Sequence, residues 1–327
     1  SGSKNIILIC PAFFGYGEEI KKHLEGEGHR VWRFDDCPGK STFVKAALRL
    51  WPLLIRGKAE RYYKAIIAEL RDENIDEVLV LKAESLTATT IGWLRQAFPK
   101  ARFTLYFWDS YRNNARDSAS KVPLFDRAFT FDPEDAASDP RLTLQPLFYL
   151  DRFAQLPKLD MDIDLLFVGT AHSDRYAVVK RIEAALPPGV KFTKVLYVAA
   201  PWIYSIRRII DPAYWHARKS EFVFTPVSRA DLMNLIARSR IVVDIERAIQ
   251  TGLTIRTIEM LGAGKKLLST NPRSVDAEFY HPDNIAVMDR MHPVIDKGFL
   301  SRPYSPPSPE MHRRYSLTGW LEVVLGK

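Results

Sequence analysis

Between Gln250 and Asn271 the sequence reads QTGLTIRTIEMLGAGKKLLSTN, a run of residue types and spacings that suits a diphosphate and a ribose. Gly252 and Thr254 let the chain turn tightly into a helix whose free N–H groups and dipole attract an anion. Arg256 and Glu259 lie three residues apart on one face of that helix, while Ile255 and Ile258 take the adjacent apolar face. An arginine fork matches phosphate oxygens, and a carboxylate accepts both hydroxyl protons of a ribose, so the pair fits the two parts of a nucleoside diphosphate. Gly262 and Gly264 end the helix, and Leu267-Leu268 reads as a short buried strand. The same spacing also fits an ordinary amphipathic helix with a solvent-facing ion pair. A second phosphate-facing position is expected at Gly169 and Thr170, where an apolar strand gives way to a helix. Ser173 can cap that helix, and Arg175 in its first turn could reach a diphosphate or a sugar.

These residues need a scaffold, and the apolar runs supply one. Strands are expected at 5–10, 30–34, 78–82, 103–107, 127–131 and 142–145, with helices at 17–27, 43–71 and 87–97. Strand alternating with helix argues a parallel sheet covered on both faces. Proline and charge then cluster, and the alternation resumes with strands at 164–168, 192–198, 221–224, 241–244 and 266–269 between helices at 175–185, 202–209, 228–238 and 254–262. The reading is an α/β chain of two Rossmann-like doubly wound domains, residues 4–150 and 163–300, joined by a linker at 151–162. Ser1-Gly2-Ser3 reads as an expression scar. A proline-rich stretch at 302–309 precedes an expected terminal helix at 310–325.

The clamp segment resembles the nucleotide-sugar clamp of the GT-B glycosyltransferases, and more narrowly the bacterial capsule, lipopolysaccharide and CgeB-like enzymes. Matching islands occur in that family's order at Tyr106–Ser110, Phe125–Asp132, Phe167–Tyr176 and Phe279–Ile285. The resemblance implies two domains facing a cleft, with an acceptor-binding first domain, a donor-binding second domain and a last helix that returns to the first. It also implies a nucleotide-sugar donor and a glycan or lipid-linked glycan acceptor. In that setting Glu246, Gln250 and His172 become further donor contacts, and Lys265 or Lys266 a cation for the leaving diphosphate. A lone histidine such as His172 is more often a structural hydrogen-bonder.

If the reaction inverts configuration, a carboxylate of the first domain must take the acceptor hydroxyl's proton. Asp109, after the aromatic strand Tyr106-Phe107-Trp108, is the first choice, and Glu84 the second. Asp109 could instead cap the segment that begins at Ser110, and Asp132 and Asp135, after another strand, could line the same cleft but read better as closing a turn. Asp160-Met161-Asp162 has the spacing of a metal-binding Asp-x-Asp but lies in the linker ahead of a strand, and there is no His or Cys cluster. Metal-independent chemistry without a cofactor is expected. A GT-B nucleotide-sugar epimerase and a non-catalytic binding module are the competing readings.

The net charge of +8 fits phosphate-rich ligands or an anionic membrane face. Nucleic acid is disfavoured, because the basic residues are dispersed and no helix-turn-helix, zinc or stacking motif accompanies them. Cys10 and Cys37 read as packing residues of a cytoplasmic chain. Two stretches, Lys45–Lys58 and Pro201–Ile210, mix apolar, aromatic and basic residues. They suit a peripheral contact at the inner face of the cytoplasmic membrane, with core packing as the alternative.

Overall fold

The computed structural model describes residues 2–11, 15–36, 52–111, 117–246 and 252–326, with side chains from residue 57 onward in the helix that begins at Pro52. Cys37, Gln250 and the Lys45–Trp51 part of the first apolar-basic stretch lie outside the described residues. The chain packs into two compact units, Ser1–Leu147 with Leu317–Lys327, and Phe148–Ser316.

The first unit runs β1 (Asn5–Cys10), α1 (Tyr16–Gly26), β2 (Arg30–Asp35), α2 (Pro52–Leu70), β3 (Glu77–Leu81), α3 (Ala88–Ala97), β4 (Arg102–Phe107), α4 (Ser118–Lys121), β5 (Arg127–Thr130), α5 (Pro133–Ser138) and β6 (Thr143–Leu144). Its six strands form one parallel sheet in the order β2-β1-β3-β4-β5-β6. The central strands are apolar without alternation, and Ile6–Cys10 and Val78–Leu81 are buried, as a sheet with helices on both faces requires. The strand order reverses between β1 and β3, which makes the carboxyl ends of these strands the switch point of the sheet.

The second unit runs α6 (Asp151–Ala154), β7 (Ile163–Thr170), α7 (Arg175–Ala185), β8 (Phe192–Tyr197), α8 (Pro201–Ile210), β9 (Phe222–Val223), α9 (Arg229–Arg238), β10 (Ser239–Asp244), α10 (Ile255–Ala263), β11 (Lys266–Ser269), β12 (Ile285–Val287), α11 (Lys297–Ser301) and α12 (Pro309–Arg314). Its parallel sheet has the order β12-β11-β10-β7-β8-β9, the dinucleotide-binding arrangement, with its reversal between β7 and β10. The short strand β12 is not anticipated by periodicity. The tract at 151–154 is helical where a linker is expected, with Phe153 buried, and Tyr149 just ahead of it seats on α10. Gly262 leaves room for its ring, since an added Cβ would lie 2.4 Å from it. Gly262 therefore permits close packing inside α10, and Gly264 alone forms the left-handed C-cap.

The expected terminal helix is two helices. Residues Tyr315 and Ser316 interrupt it where the Tyr315 carbonyl accepts the Tyr149 amide at 2.9 Å. The second helix, α13 (Leu317–Leu325), belongs to the first unit, where the fully buried Trp320 meets Tyr106 edge to face at 4.9 Å. Its last carbonyls are satisfied by Arg102 on Leu325 and Arg127 on Val324. Buried Glu77 anchors both arginines, at 2.8 and 3.4 Å.

Candidate functional site

In the second unit, the carboxyl ends of β7 and β10 carry a connected polar cluster centred on Asp244, the last residue of β10. Thr254 occupies the N-cap of α10, accepting the Thr257 amide at 3.2 Å while its hydroxyl donates to Asp244 Oδ2. Burial pushes the Asp244 carboxyl up, and the Thr254 hydroxyl, Arg256 and Arg175 oppose the rise. Arg175, in the first turn of α7, donates from Nε to the Ile245 carbonyl at 2.7 Å, and its Nη1 lies 3.4 Å from the Thr170 carbonyl. One guanidinium thus ties together the two strand ends that flank the switch point.

Arg256 and Glu259 do share a helix face, with Nη1 and Oε2 3.5 Å apart, but the pair is not solvent-facing: the side chains are 21% and 8% exposed. That removes the ordinary surface-pair reading, since a carboxylate is buried only where something is built to use or hold it. Glu246 is buried, accepts the Thr270 hydroxyl and lies 3.4 Å from Arg290 Nη1. Arg290 also donates to the Glu246 carbonyl at 2.9 Å and pairs with Asp174 at 3.1 Å. Gly252 is held by Asn271, whose amide donates to its carbonyl at 3.1 Å.

Gly169 and Thr170 are the last residues of β7 rather than the turn after it, because the strand keeps its pairing with β8 through Thr170–Tyr197. Space at Gly169 is limited by Phe167, whose ring lies 3.0 Å from where a Cβ would sit. Ser173 does not cap α7. It adopts a left-handed φ of 52°, Asp174 occupies the N-cap, and the Ser173 hydroxyl lies 3.2 Å from His172 Nδ1. A left-handed serine there is a strained backbone of the kind functional turns hold.

Lys265 is not brought to this cluster. It precedes β11, so it lies at the amino edge of the sheet, where its ammonium donates to the Ala237 and Ser239 carbonyls at 2.8 and 2.7 Å. Lys266 is likewise committed to the Arg302 carbonyl at 2.7 Å. Burial depresses both lysines. Asp162 of the Asp-x-Asp sequence forks onto Arg238, with Oδ1 2.8 Å from Nε. Asp174, Asp244, Thr270, Asn271 and Arg290 are cluster members the sequence reading did not select. Asp244 carried a signal, a carboxylate closing an apolar strand, which is the signal that picked out Asp109.

In the first unit Lys82 joins the two candidate bases: its Nζ lies 3.0 Å from Asp109 Oδ2 and 3.5 Å from Glu84 Oε2. Burial alone would depress the Lys82 ammonium, but Asp109 and then Glu84 more than offset this and hold it above its ordinary value. The segment that carries it is strained, since Lys82 and Ala83 are both left-handed, at φ 83° and 58°. Such residues cost of order 1–3 kcal/mol each and persist only when their surroundings fix them. Here Asp36 accepts the Glu84 and Ser85 amides at 2.7 and 3.4 Å, and Lys121 donates to the Ala83 carbonyl at 2.8 Å. Asp36 is 1% exposed, and burial pushes its carboxyl up to about 7 against the pull of those amides. Asp132 closes the strand-to-helix turn as the N-cap of α5, accepting the Glu134 amide at 2.8 Å, whereas Asp135 lies within α5 and accepts the Tyr111 amide at 2.8 Å. Cys10 is a buried packing thiol, pushed up to about 12 chiefly by burial.

No family model and no curated protein sequence matches the chain. Solved structures do. A glycosyltransferase from Rickettsia africae ESF-5 superposes with a TM-score of 0.64 at 12% identity, covering 100% of this chain and 98% of that one. The Anabaena protein HepE, in complex with UDP and glucose, gives 0.60 at 12% identity with 99% of each chain covered. A UDP-GlcNAc 2-epimerase from Methanocaldococcus jannaschii gives 0.56 at 11% identity, with 98% of each covered. With two six-stranded parallel sheets of doubly wound order, the chain has the α/β fold of the GT-B glycosyltransferases.

Proposed function

We propose that the protein is a glycosyltransferase that moves a sugar from a nucleotide-sugar donor to a surface polysaccharide or lipopolysaccharide acceptor, without a metal ion. The observation that carries this reading is the cluster at the β7/β10 switch point, where Arg256, Glu259 and the capped start of α10 stand beside Asp244 and Arg175. In this reading Arg256 and the N-terminus of α10 meet the diphosphate, and Glu259 accepts the ribose hydroxyls. Charge that develops on the leaving diphosphate is then stabilised by fixed donors and not by reorganised water. If the reaction inverts configuration, Asp109 takes the acceptor hydroxyl's proton as that oxygen attacks the anomeric carbon and the diphosphate leaves, with Glu84 as the second candidate and Lys82 positioning both.

A thermal-shift screen against nucleotides and nucleotide sugars tests the donor assignment, because a ligand that binds only the folded chain raises its apparent stability. The UDP held by the Anabaena neighbour makes uridine nucleotides the first to try. A rise with a nucleotide diphosphate supports the reading, and full turnover in chelator supports the metal-free step. Strict dependence on Mg²⁺ or Mn²⁺ counts against it. The epimerase among the structural neighbours gives a second reading, which the product formed from donor alone decides.

A further inference from the structure

Helix α8 turns an apolar stripe outward. Trp202, Ile206, Ile209 and Ile210 stand at i, i+4, i+7 and i+8, one face of a helix, and are 64, 45, 77 and 71% exposed. Core packing, the alternative for this stretch, is therefore excluded for these four side chains. The opposite face is firmly docked. Tyr204 is buried against Phe222 at 5.3 Å and donates to the Ala217 carbonyl at 2.8 Å. Arg207 lies across the Tyr214 ring at 5.5 Å and donates to its hydroxyl at 2.9 Å. The helix is held in the orientation that exposes its isoleucines, so the stripe is a built surface and not a frayed end.

Charge and aromatic placement define what fits it. A second tryptophan, Trp215, is 54% exposed and lies by the carboxyl end of α8, where Arg208 Nη2 is 3.4 Å from its carbonyl. Arg208, Arg218 and Lys219 are exposed, and Asp211 is the only acidic residue between Pro201 and Lys219. Aliphatic side chains flanked by tryptophans and cations match the boundary of an anionic bilayer, where indoles sit at headgroup level and cations meet lipid phosphates. We infer that the outward face of α8, with Trp215, docks the protein on an anionic membrane surface. The stripe is about 12 Å long, so the helix lies in the plane of the interface and does not cross it. Among the described residues no helix is long and apolar enough to cross a membrane.

The test is co-sedimentation of the full chain with vesicles of phosphatidylglycerol and phosphatidylcholine in roughly a 3:7 ratio, set against pure phosphatidylcholine. It uses no nucleotide sugar, so its result stands apart from the donor assignment. Binding to the anionic vesicles that weakens with salt is expected, as is a loss of about tenfold or more in Trp202→Ala/Ile209→Ser. Because both side chains are exposed, the variant should keep the far-ultraviolet dichroism and melting temperature of the wild type, which separates lost docking from lost folding. Absence of vesicle binding, or equal binding by the variant, overturns the inference. So does a dimer in vesicle-free sedimentation that the variant abolishes, which would assign the face to a second copy of the chain.

Discussion

Replacing Asp36 with asparagine separates charge from shape beneath the turn that carries Lys82 and Glu84. The carboxyl is raised from 3.8 to about 7 by burial, so over that interval it is protonated in the folded chain and ionised in the unfolded one. The folded state then binds the extra proton, and stability falls as pH rises. The contribution is fully present below about pH 4 and is lost as pH passes about 7. The whole shift corresponds to about 4 kcal/mol, of which roughly 2–3 kcal/mol falls between about pH 5 and pH 8. Asparagine stays neutral throughout and can keep the oxygen that accepts the Glu84 amide at 2.7 Å. Asp36→Asn should therefore flatten the pH dependence by that amount, whatever constant offset the lost second acceptor adds. Urea unfolding of both proteins at about pH 5 and pH 8 reads the slope, and hydrogen exchange at the Glu84 and Ser85 amides reports whether it arises at this turn. Parallel slopes in the two proteins would refute the assignment of a buried, protonated Asp36.

The remaining predictions concern packing, capping and the base. Gly262→Ala puts a methyl group 2.4 Å from the Tyr149 ring and should cost about 1–3 kcal/mol, read as a lowered melting temperature. Thr254→Val removes both the α10 cap and the hydroxyl that serves Asp244, a loss of about 1–3 kcal/mol by denaturation. Asp109→Asn should reduce turnover by about 100-fold or more with donor affinity unchanged. Intact turnover there together with the same loss in Glu84→Gln would move the base role to Glu84.

Much of this architecture is legible in the sequence because both sheets are parallel and buried, so their strands appear as unbroken apolar runs such as Ile6–Cys10 and Ile241–Val243. The order of those strands is not legible, since periodicity carries no information on which strands pair. Only the folded sheet identifies β7 and β10 as the switch point and so gives Asp244 its importance. Lys265 is the opposite case. A lysine pair just after the Arg256–Glu259 helix reads in sequence as part of the clamp, yet residues that precede a parallel strand lie at its amino edge, opposite the carboxyl ends that carry the Asp244 cluster. Arg290 had no local signal, because it follows the three-residue strand β12 and reaches Glu246 and Asp174 only through tertiary structure. The left-handed Lys82, Ala83 and Ser173 are hidden for a related reason: nothing in their side chains favours that conformation, and the surroundings impose it.

The central claim, that the Arg256–Glu259 face with its buried carboxylate holds a nucleotide diphosphate, is tested most directly by calorimetric titration of the wild-type chain and Glu259→Ala with the nucleotide that stabilises the wild type. Loss of two hydroxyl contacts should weaken binding by about 10- to 100-fold while the variant remains folded. Unchanged affinity in Glu259→Ala would contradict the assignment.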